Sequence, residues 1–420
     1  MKCYNKKIIF GLLLFGSFLL NGQKFDLETC KIKARSNFPL IKQLGILDNL
    51  KELSLENLSK GYLPQINFNA QGTYQSEVTS VPISLPNLTI KGLDKDQYRT
   101  YLEIYQPLID GQMVKKQQEV SKSQFAVDHQ KIEVELYKLF ASVNQLYFGI
   151  LLIDSQIKST NSLLSEVESN AKKLQIGVQE GIVNPLNKEI FEAEKIKIIQ
   201  RLDDLLSTRR SLLNTLGITI GETIPVDSKF DLPPYLNQAQ VNKRPELALY
   251  DLQIGQLDQQ KNLIRNKLSP RIGLMAQIGY GRPALNMLNN DFKEYYIGGL
   301  KLSWSISSFY TNARERKVLE GQQAMISAQR EVFNQQTAIG AAQVQNDLNK
   351  WDSLLHTDEQ LIATRKRIIA AANIQFTQGT LSSLDYLAFL NQLEQAQQQL
   401  LLHQLQKLQS VYQQQYLLGN

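Results

Sequence analysis

Apolar residues recur at alternating steps of four and three over a long central stretch. Positions 132, 136, 139, 143, 146, 150, 153, 157, 160, 164, 167, 171, 174 and 178 read Ile, Leu, Leu, Val, Leu, Ile, Ile, Ile, Thr, Leu, Val, Ala, Leu and Val. This spacing predicts one very long helix with a continuous packing seam, in which Thr160 is the only polar member. A weaker seam runs through Val344, Leu348, Trp351, Leu355, Ile362, Ile369, Ala372 and Phe376, interrupted by Asp358 and Arg365. A third, shorter one joins Ile198, Leu202, Leu205, Leu212 and Leu216 and is interrupted by Arg209. From Gly111 to Gly181 is 70 residues, and so is the distance from Phe309 to Gly379. A helix of that length extends about 105 Å, far beyond an ordinary globular domain.

Elsewhere the period changes to two. Ile66, Phe68, Ala70, Gly72 and Tyr74 alternate with Asn67, Asn69, Gln71, Thr73 and Gln75. Leu300, Leu302, Trp304 and Ile306 alternate with Lys301, Ser303 and Ser305. Strands near 272–280 and 101–108 are less regular; Tyr101 and Tyr105 share a face with Glu103. Ten residues of strand inclined at about 45° cross about 24 Å, close to the apolar band of a membrane barrel. Tyr74, Tyr98, Tyr101, Tyr105, Tyr280, Tyr295, Tyr296, Trp304, Phe309 and Tyr310 fall at or near the strands, as interfacial girdles require. Four strands are too few to close a barrel, and an edge open to lipid leaves backbone groups unpaired at several kcal/mol each. Several copies must therefore share one wall. Three copies would give about twelve strands, an even number, although counting alone leaves two or four open.

The chain reads as two copies of one unit. Pro64, Ile66, Ala70, Gln71 and Tyr74 recur as Pro270, Ile272, Ala276, Gln277 and Tyr280, 206 residues on. Gly181 and Leu186 recur as Gly379 and Leu384, 198 residues on. The shift reflects a longer loop in the first copy, which holds Pro82 and Pro86. The predicted organisation is a first repeat over 24–225, with a helix near 26–59, two strands, a long helix over 111–178, a tip at 179–186 and a helix over 187–217. A linker at 226–240 carries Pro233 and Pro234. The second repeat, 241–420, has a helix near 241–267, two strands, a long helix over 309–376, a tip at 377–385 and a helix over 386–417.

Composition adds an address. Lys2, Lys6 and Lys7 precede an apolar run from Ile8 to Leu20. The run is shorter than the roughly 20 residues a membrane helix needs and fits a secretory signal peptide, residues 1–23. Removing those lysines lowers the net charge of +6 to about +3, which gives no signature of nucleic-acid binding. Cys3 leaves with the signal, and neither cysteine sits in a lipid-attachment pattern, so the mature chain is expected to be non-lipidated, with Cys30 a small buried residue. Beyond the signal no uninterrupted apolar stretch suits a helical span, which leaves β-strands for any membrane crossing.

With these features the chain resembles the TolC-like outer membrane factor family. The resemblance rests on the duplicated strand–strand–long-helix order, the Leu63-Pro64-Gln65-Ile66 strand entry, and two turns, Glu180 to Asn187 and Gln378 to Asp385. It implies a mainly α protein with β-structure: a trimeric twelve-stranded β-barrel in the outer membrane of a Gram-negative bacterium, continued by a coiled-coil tunnel of α-helices. It also implies a passive efflux or type I secretion channel, with a periplasmic adaptor docked at the tips and an inner-membrane RND or ABC transporter supplying energy. Gly181, Ile182, Val183, Gly379, Thr380 and Leu381 then fall at the docking tip, and Asp385 and Asn187 at the gate. Asn187 stands where the family often has Asp, Leu381 where some members have Arg, and Ala388 where a second Asp occurs, so fewer polar ties are expected.

Catalysis, cofactors and resident metals find no motif. His129, His356 and His403 are scattered over helices, and no phosphate-binding loop or nucleophile elbow occurs. The second reading is a periplasmic adaptor or coiled-coil binding protein. It predicts one helical hairpin followed by many strands, where this sequence has two hairpins.

Overall fold

A computed structural model describes residues 24–80, 92–236 and 241–420. The expected signal segment and Pro82 and Pro86 lie outside the described residues. In chain order the elements are β1 (Lys24–Phe25), α1 (Leu27–Asn37), α2 (Ile41–Ser59), β2 (Gln65–Tyr74), β3 (Asp96–Ile109), α3 (Met113–Gln179), α4 (Pro185–Ile220), β4 (Lys229–Phe230), α5 (Pro245–Asn266), β5 (Arg271–Arg282), β6 (Lys293–Ser303), α6 (Ser308–Thr377) and α7 (Ser383–Leu418). The helix expected near 26–59 is two helices. Pro39 lacks the amide that would continue α1, and Phe38 is extended with ψ 131°. Two short strands that the sequence did not reveal, β1 and β4, pair in parallel within the region read as a linker and the start of the mature chain.

The residues divide into two compact units. One draws on Met1–Phe38, Leu139–Gln238 and Val344–Gln413; the other on Pro39–Lys138, Ala239–Gln343 and Gln414–Asn420.

The first unit is helical and has two apolar clusters. One joins Phe25, Leu27, Cys30 and Ala34 to Val143, Tyr147, Ile150, Leu213, Leu216, Leu408 and Tyr412. The Tyr147 hydroxyl lies 2.8 Å from the Phe25 carbonyl and 2.7 Å from that of Asp231, which pins both short segments to α3. Cys30 is fully buried, and burial pushes its thiol up to about 11. The other cluster packs Leu163, Val167, Ala171 and Leu174 against Phe191, Ile198, Tyr386, Leu387 and Leu390.

No position of the first heptad seam is exposed, so the pattern reports packing faithfully. The polar interruptions each have a partner. Thr160 is fully buried and its hydroxyl lies 3.4 Å from the Gln398 amide. Asp358 accepts from His403 Nδ1 at 2.5 Å, and Trp351 stacks on that imidazole at 5.5 Å. Arg365 donates to Gln392. Arg209 pairs with Asp154 and donates to the carbonyls of Val226 and Ser228. α3 does contain a window of mean hydropathy 1.4, apolar enough for a membrane helix by composition, where the sequence reading saw none. Buried Leu136, Val143, Phe148, Ile150 and Leu151 show these apolar residues serving helix packing.

The second unit holds one antiparallel sheet in the order β2-β3-β5-β6, with β2 and β6 as open edges. Its helices are tied by polar contacts. Gln118 of α3 donates to the Leu55 carbonyl at 3.3 Å, and Gln323 of α6 donates to that of Ile254 at 3.1 Å. Arg244, at the start of α5, stacks over Tyr137, Tyr416 and Phe333 at 5.0–5.5 Å and pairs with Glu246. Burial pushes the Tyr137 hydroxyl up to about 12, although the Arg244 charge opposes this.

Candidate functional site

Cross-strand partners in an antiparallel sheet share a face, so the register sorts every side chain. Phe68 opposes Leu102, Leu102 opposes Ile278, and Ile278 opposes Tyr296. Ile66, Ile104, Ala276 and Gly298 form the next row, and Leu274 opposes Leu300 beyond it. The middle rows of this face are apolar and open to solvent in the single chain. Phe68 is 71% exposed, Ile278 58% and Leu300 70%. Its polar members are Gln106, Thr100 and Glu294, with Asp96 and Arg282 at the loop end; the Gln106 amide is spent on the carbonyls of Tyr62 and Pro107 at 2.9 Å.

The opposite face is polar. Asn69 opposes Tyr101, Asn67 opposes Glu103, and Glu103 opposes Gln277. Its residues are covered more than those of the apolar face. Tyr295 on edge strand β6 is only 8% exposed. Its ring lies over Gly279, where a Cβ would come within 2.6 Å, and Tyr105 covers Gly273 in the same way at 2.5 Å. At Gly279 the Thr100 carbonyl also stands 2.6 Å from such a Cβ, so a side chain there has no room, whereas at Gly273 only the Tyr105 ring would have to move.

The register sorts the aromatic residues between the two faces. Tyr74, Tyr280 and Tyr296 stand on the apolar face, with Tyr98 beside them. Tyr101 and Tyr105 stand on the polar face instead. Trp304 lies beyond the strand, which ends at Ser303, because its indole N–H donates to the Leu268 carbonyl at 2.9 Å and its ring meets Phe309 edge-on. At the loop end Phe292 stacks on Tyr280 at 5.6 Å and Tyr98 at 6.3 Å, and Arg282 pairs with Asp94 and Asp96. Aromatics thus bracket the apolar band at both ends.

The helical tips lie in the other unit. At the first, Gly181 has φ 73° and the Ile182 and Val183 amides donate back to the Gly177 carbonyl. At the second, Gly379 has φ 74° and the Thr380 and Leu381 amides donate to the Gln375 carbonyl. Both are left-handed reversals that terminate a helix. Asn184 caps α4 through Leu186 N–H at 2.9 Å, with Pro185 at the first helical position. Ser382 caps α7, accepting from Asp385 N–H at 3.1 Å and donating to its carboxylate at 2.6 Å. Asp385 is exposed and serves its own helix start, and Asn187, three residues after its own cap, is half-buried.

Of the tip residues singled out in the sequence, Gly181, Ile182, Gly379 and Thr380 are exposed. Val183 and Leu381 instead turn inward and pack on the Phe191–Tyr386 cluster, where Phe376 and Tyr386 stack at 4.5 Å. Sequence reasoning overlooked two surface residues as surface. Leu186 and Leu384 are 63% and 66% exposed on the first turn after each tip, and their shared offset was the available signal. No neighbour lies within 4 Å of a Cβ built at Gly181 or Gly379, so substitution there tests backbone strain alone. Gly181→Ala and Gly379→Ala are each expected to destabilise by about 1–2 kcal/mol. Thermal unfolding should show it, and an unchanged midpoint would mean that the reversals relax without cost.

Among the described residues no group of His, Cys, Asp or Glu is placed to hold a metal ion.

Comparisons with known proteins agree. The sequence profile described as outer membrane efflux protein matches residues 56–217 and again 236–420. VceC, an outer membrane protein of Vibrio cholerae, shares the fold with a TM-score of 0.67 at 13% identity, covering 94% of this chain and 96% of its own. The MtrE outer membrane channel of Neisseria gonorrhoeae, in its open state, gives 0.66 at 16% identity over 94% and 89%. The CmeC outer membrane channel of Campylobacter jejuni gives 0.65 at 12% over 94% and 85%. No curated protein sequence matches. Fold and profile together point to an efflux protein of the outer membrane. The chain belongs to the outer membrane efflux protein family.

Proposed function

We propose that the chain is one subunit of a passive trimeric conduit in a tripartite efflux or type I secretion system. One observation carries this reading. Among the described residues, the sheet has an apolar face that nothing covers and two edge strands that nothing pairs. A soluble fold would bury the face, and lipid forbids the open edges. Both demands are met when β6 of one copy pairs with β2 of the next and three copies close about twelve strands. The apolar face then meets outer-membrane lipid and the polar face lines water. Tyr74, Tyr280 and Tyr296 form the outer aromatic girdle, and Trp304 with Phe309 the inner one. Tyr101 and Tyr105 line the lumen.

α3 has 67 residues and α6 has 70, enough for about 100 Å of periplasmic extension. In this arrangement the exposed tips around Gly181, Ile182, Gly379 and Thr380 receive a periplasmic adaptor, through which an inner-membrane RND or ABC transporter supplies the energy. Asn187 and Asp385 flank the entrance. The mature chain is non-lipidated, and neither catalysis nor a cofactor has a part. The test is direct: chemical crosslinking of outer-membrane vesicles should give a ladder ending at three copies, heat-dissociable to one. Recovery of a soluble periplasmic monomer would rule the reading out.

A further inference from the structure

The polar face of the sheet is not balanced in charge. Arg99 opposes Gly281, which in turn opposes Lys293, so both cations stand in one cross-strand row toward the loop end. Toward the helix end, Lys301 opposes Gly273 and Arg271 opposes Ser303. Among the paired residues of this face Glu103 is the only carboxylate, opposite Asn67 and Gln277. The ion pairs formed by residues of the sheet are those of Arg282 with Asp94 and Asp96, which leaves the four cations of the polar face without a carboxylate partner among the described residues. The glycines opposite three of them offer no side chain to screen the charge.

We propose that the barrel wall favours anionic cargo, with Arg99 and Lys293 forming one cationic ring and Arg271 and Lys301 a second. The inference rests on the conduit reading above and adds the class of substrate. Rings of Arg and Lys are the usual lining of anion pores. A water-filled passage with low-dielectric walls focuses their field and raises the local concentration of anions. The field reaches about 8 Å at physiological ionic strength, so cargo within that distance of the wall feels it. Carboxylates, phosphates or sulfonates are the matching chemistry. Tyr101 and Tyr295, in the row next to Arg99 and Lys293, add an aromatic surface for the body of such an ion.

The purified trimer in a planar bilayer under a KCl gradient gives the test. At about 0.1 M salt the zero-current potential should show chloride passing in preference to potassium, and the preference should fade toward about 1 M, where screening shortens to about 3 Å. The R99E/K293E variant should invert the permeability ratio. The milder R99Q/K293Q should move it the same way by a smaller amount, and serves if charge reversal impairs assembly. Equal zero-current potentials in wild type and both variants would overturn the anion preference while leaving the channel intact. Absence of any conductance step from a wild-type oligomer would instead overturn the conduit reading, and this inference with it.

Discussion

Ile278→Arg should eliminate the protein from the outer membrane, whereas Gln277→Arg, one position away, should leave it there. The two residues point to opposite faces of β5. Ile278 sits between Leu102 and Tyr296 on the apolar side, and Gln277 between Glu103 and Ile297 on the polar side. An arginine facing lipid near mid-depth costs about 2–4 kcal/mol, and each trimer would carry the cost three times. An arginine beside Glu103 meets water and an opposite charge. The soluble reading gives the contrary expectation: Ile278 is 58% exposed in the single chain, and a charge on such a surface is harmless. Membrane fractionation and the heat-dissociable oligomer band distinguish the two. Equal abundance of both variants in the membrane would show that the apolar face does not meet lipid.

How far the sequence reveals this arrangement depends on whether a feature is periodic. β2 alternates cleanly, so its two faces can be read directly from Ile66 to Tyr74. β3 does not, because Tyr101 and Tyr105 are apolar in body and polar at the tip. Only pairing with β5, which puts Tyr101 against Gly279 and Tyr105 against Met275, assigns them to the polar side. Tyrosine suits both an interface and a lumen, and composition cannot separate them. Trp304 continued the alternation in sequence but leaves the strand for a hydrogen bond to Leu268, a contact 36 residues away. At the tips, the reversals announce themselves through Gly181 and Gly379. The inward turn of Val183 and Leu381 follows from a cluster assembled by four helices, and no local signal reports it. The cationic bias of the polar face needed the register of two strand pairs, β3 with β5 and β5 with β6, before Arg99 and Lys293 could be placed in one row.

The polar breaks in the heptad seams follow a related rule. Thr160, Asp358 and Arg209 look like defects in a one-dimensional pattern, yet each meets a specific polar group from another segment. A buried polar group without a partner is costly, so such positions fix which helices pack together and in what register. They contribute less to stability than an apolar residue would, and more to uniqueness. The sequence marks where such a group sits; the fold alone identifies its partner.

Arg209 is the most connected of these, and its removal should have the largest effect on stability of any single change in the helical unit. It is 9% exposed. Its guanidinium reaches Asp154 on α3 at 2.5 Å, the Ser228 carbonyl at 2.8 Å, and the Val226 carbonyl, so one side chain on α4 ties two helices to the segment that leads into β4. Arg209→Ala strands a carboxylate and two carbonyls at once. Breaking a buried pair costs about 3–5 kcal/mol, and the lower figure is expected because the Asp154 side chain keeps 33% of its exposure and can recover some water. Arg209→Lys should recover only part of the loss, since an ammonium cannot fork between the carboxylate and the carbonyls. Arg209→Met with Asp154→Leu should lie nearer to wild type than either Arg209→Ala or Asp154→Ala, because no charge is then left without its partner. Denaturant midpoints for these variants in one detergent would show the ordering. If Arg209→Ala fell within about 0.5 kcal/mol of wild type, as an ordinary surface change does, the interruption would be a tolerated defect in the seam and not a tie between helices and linker.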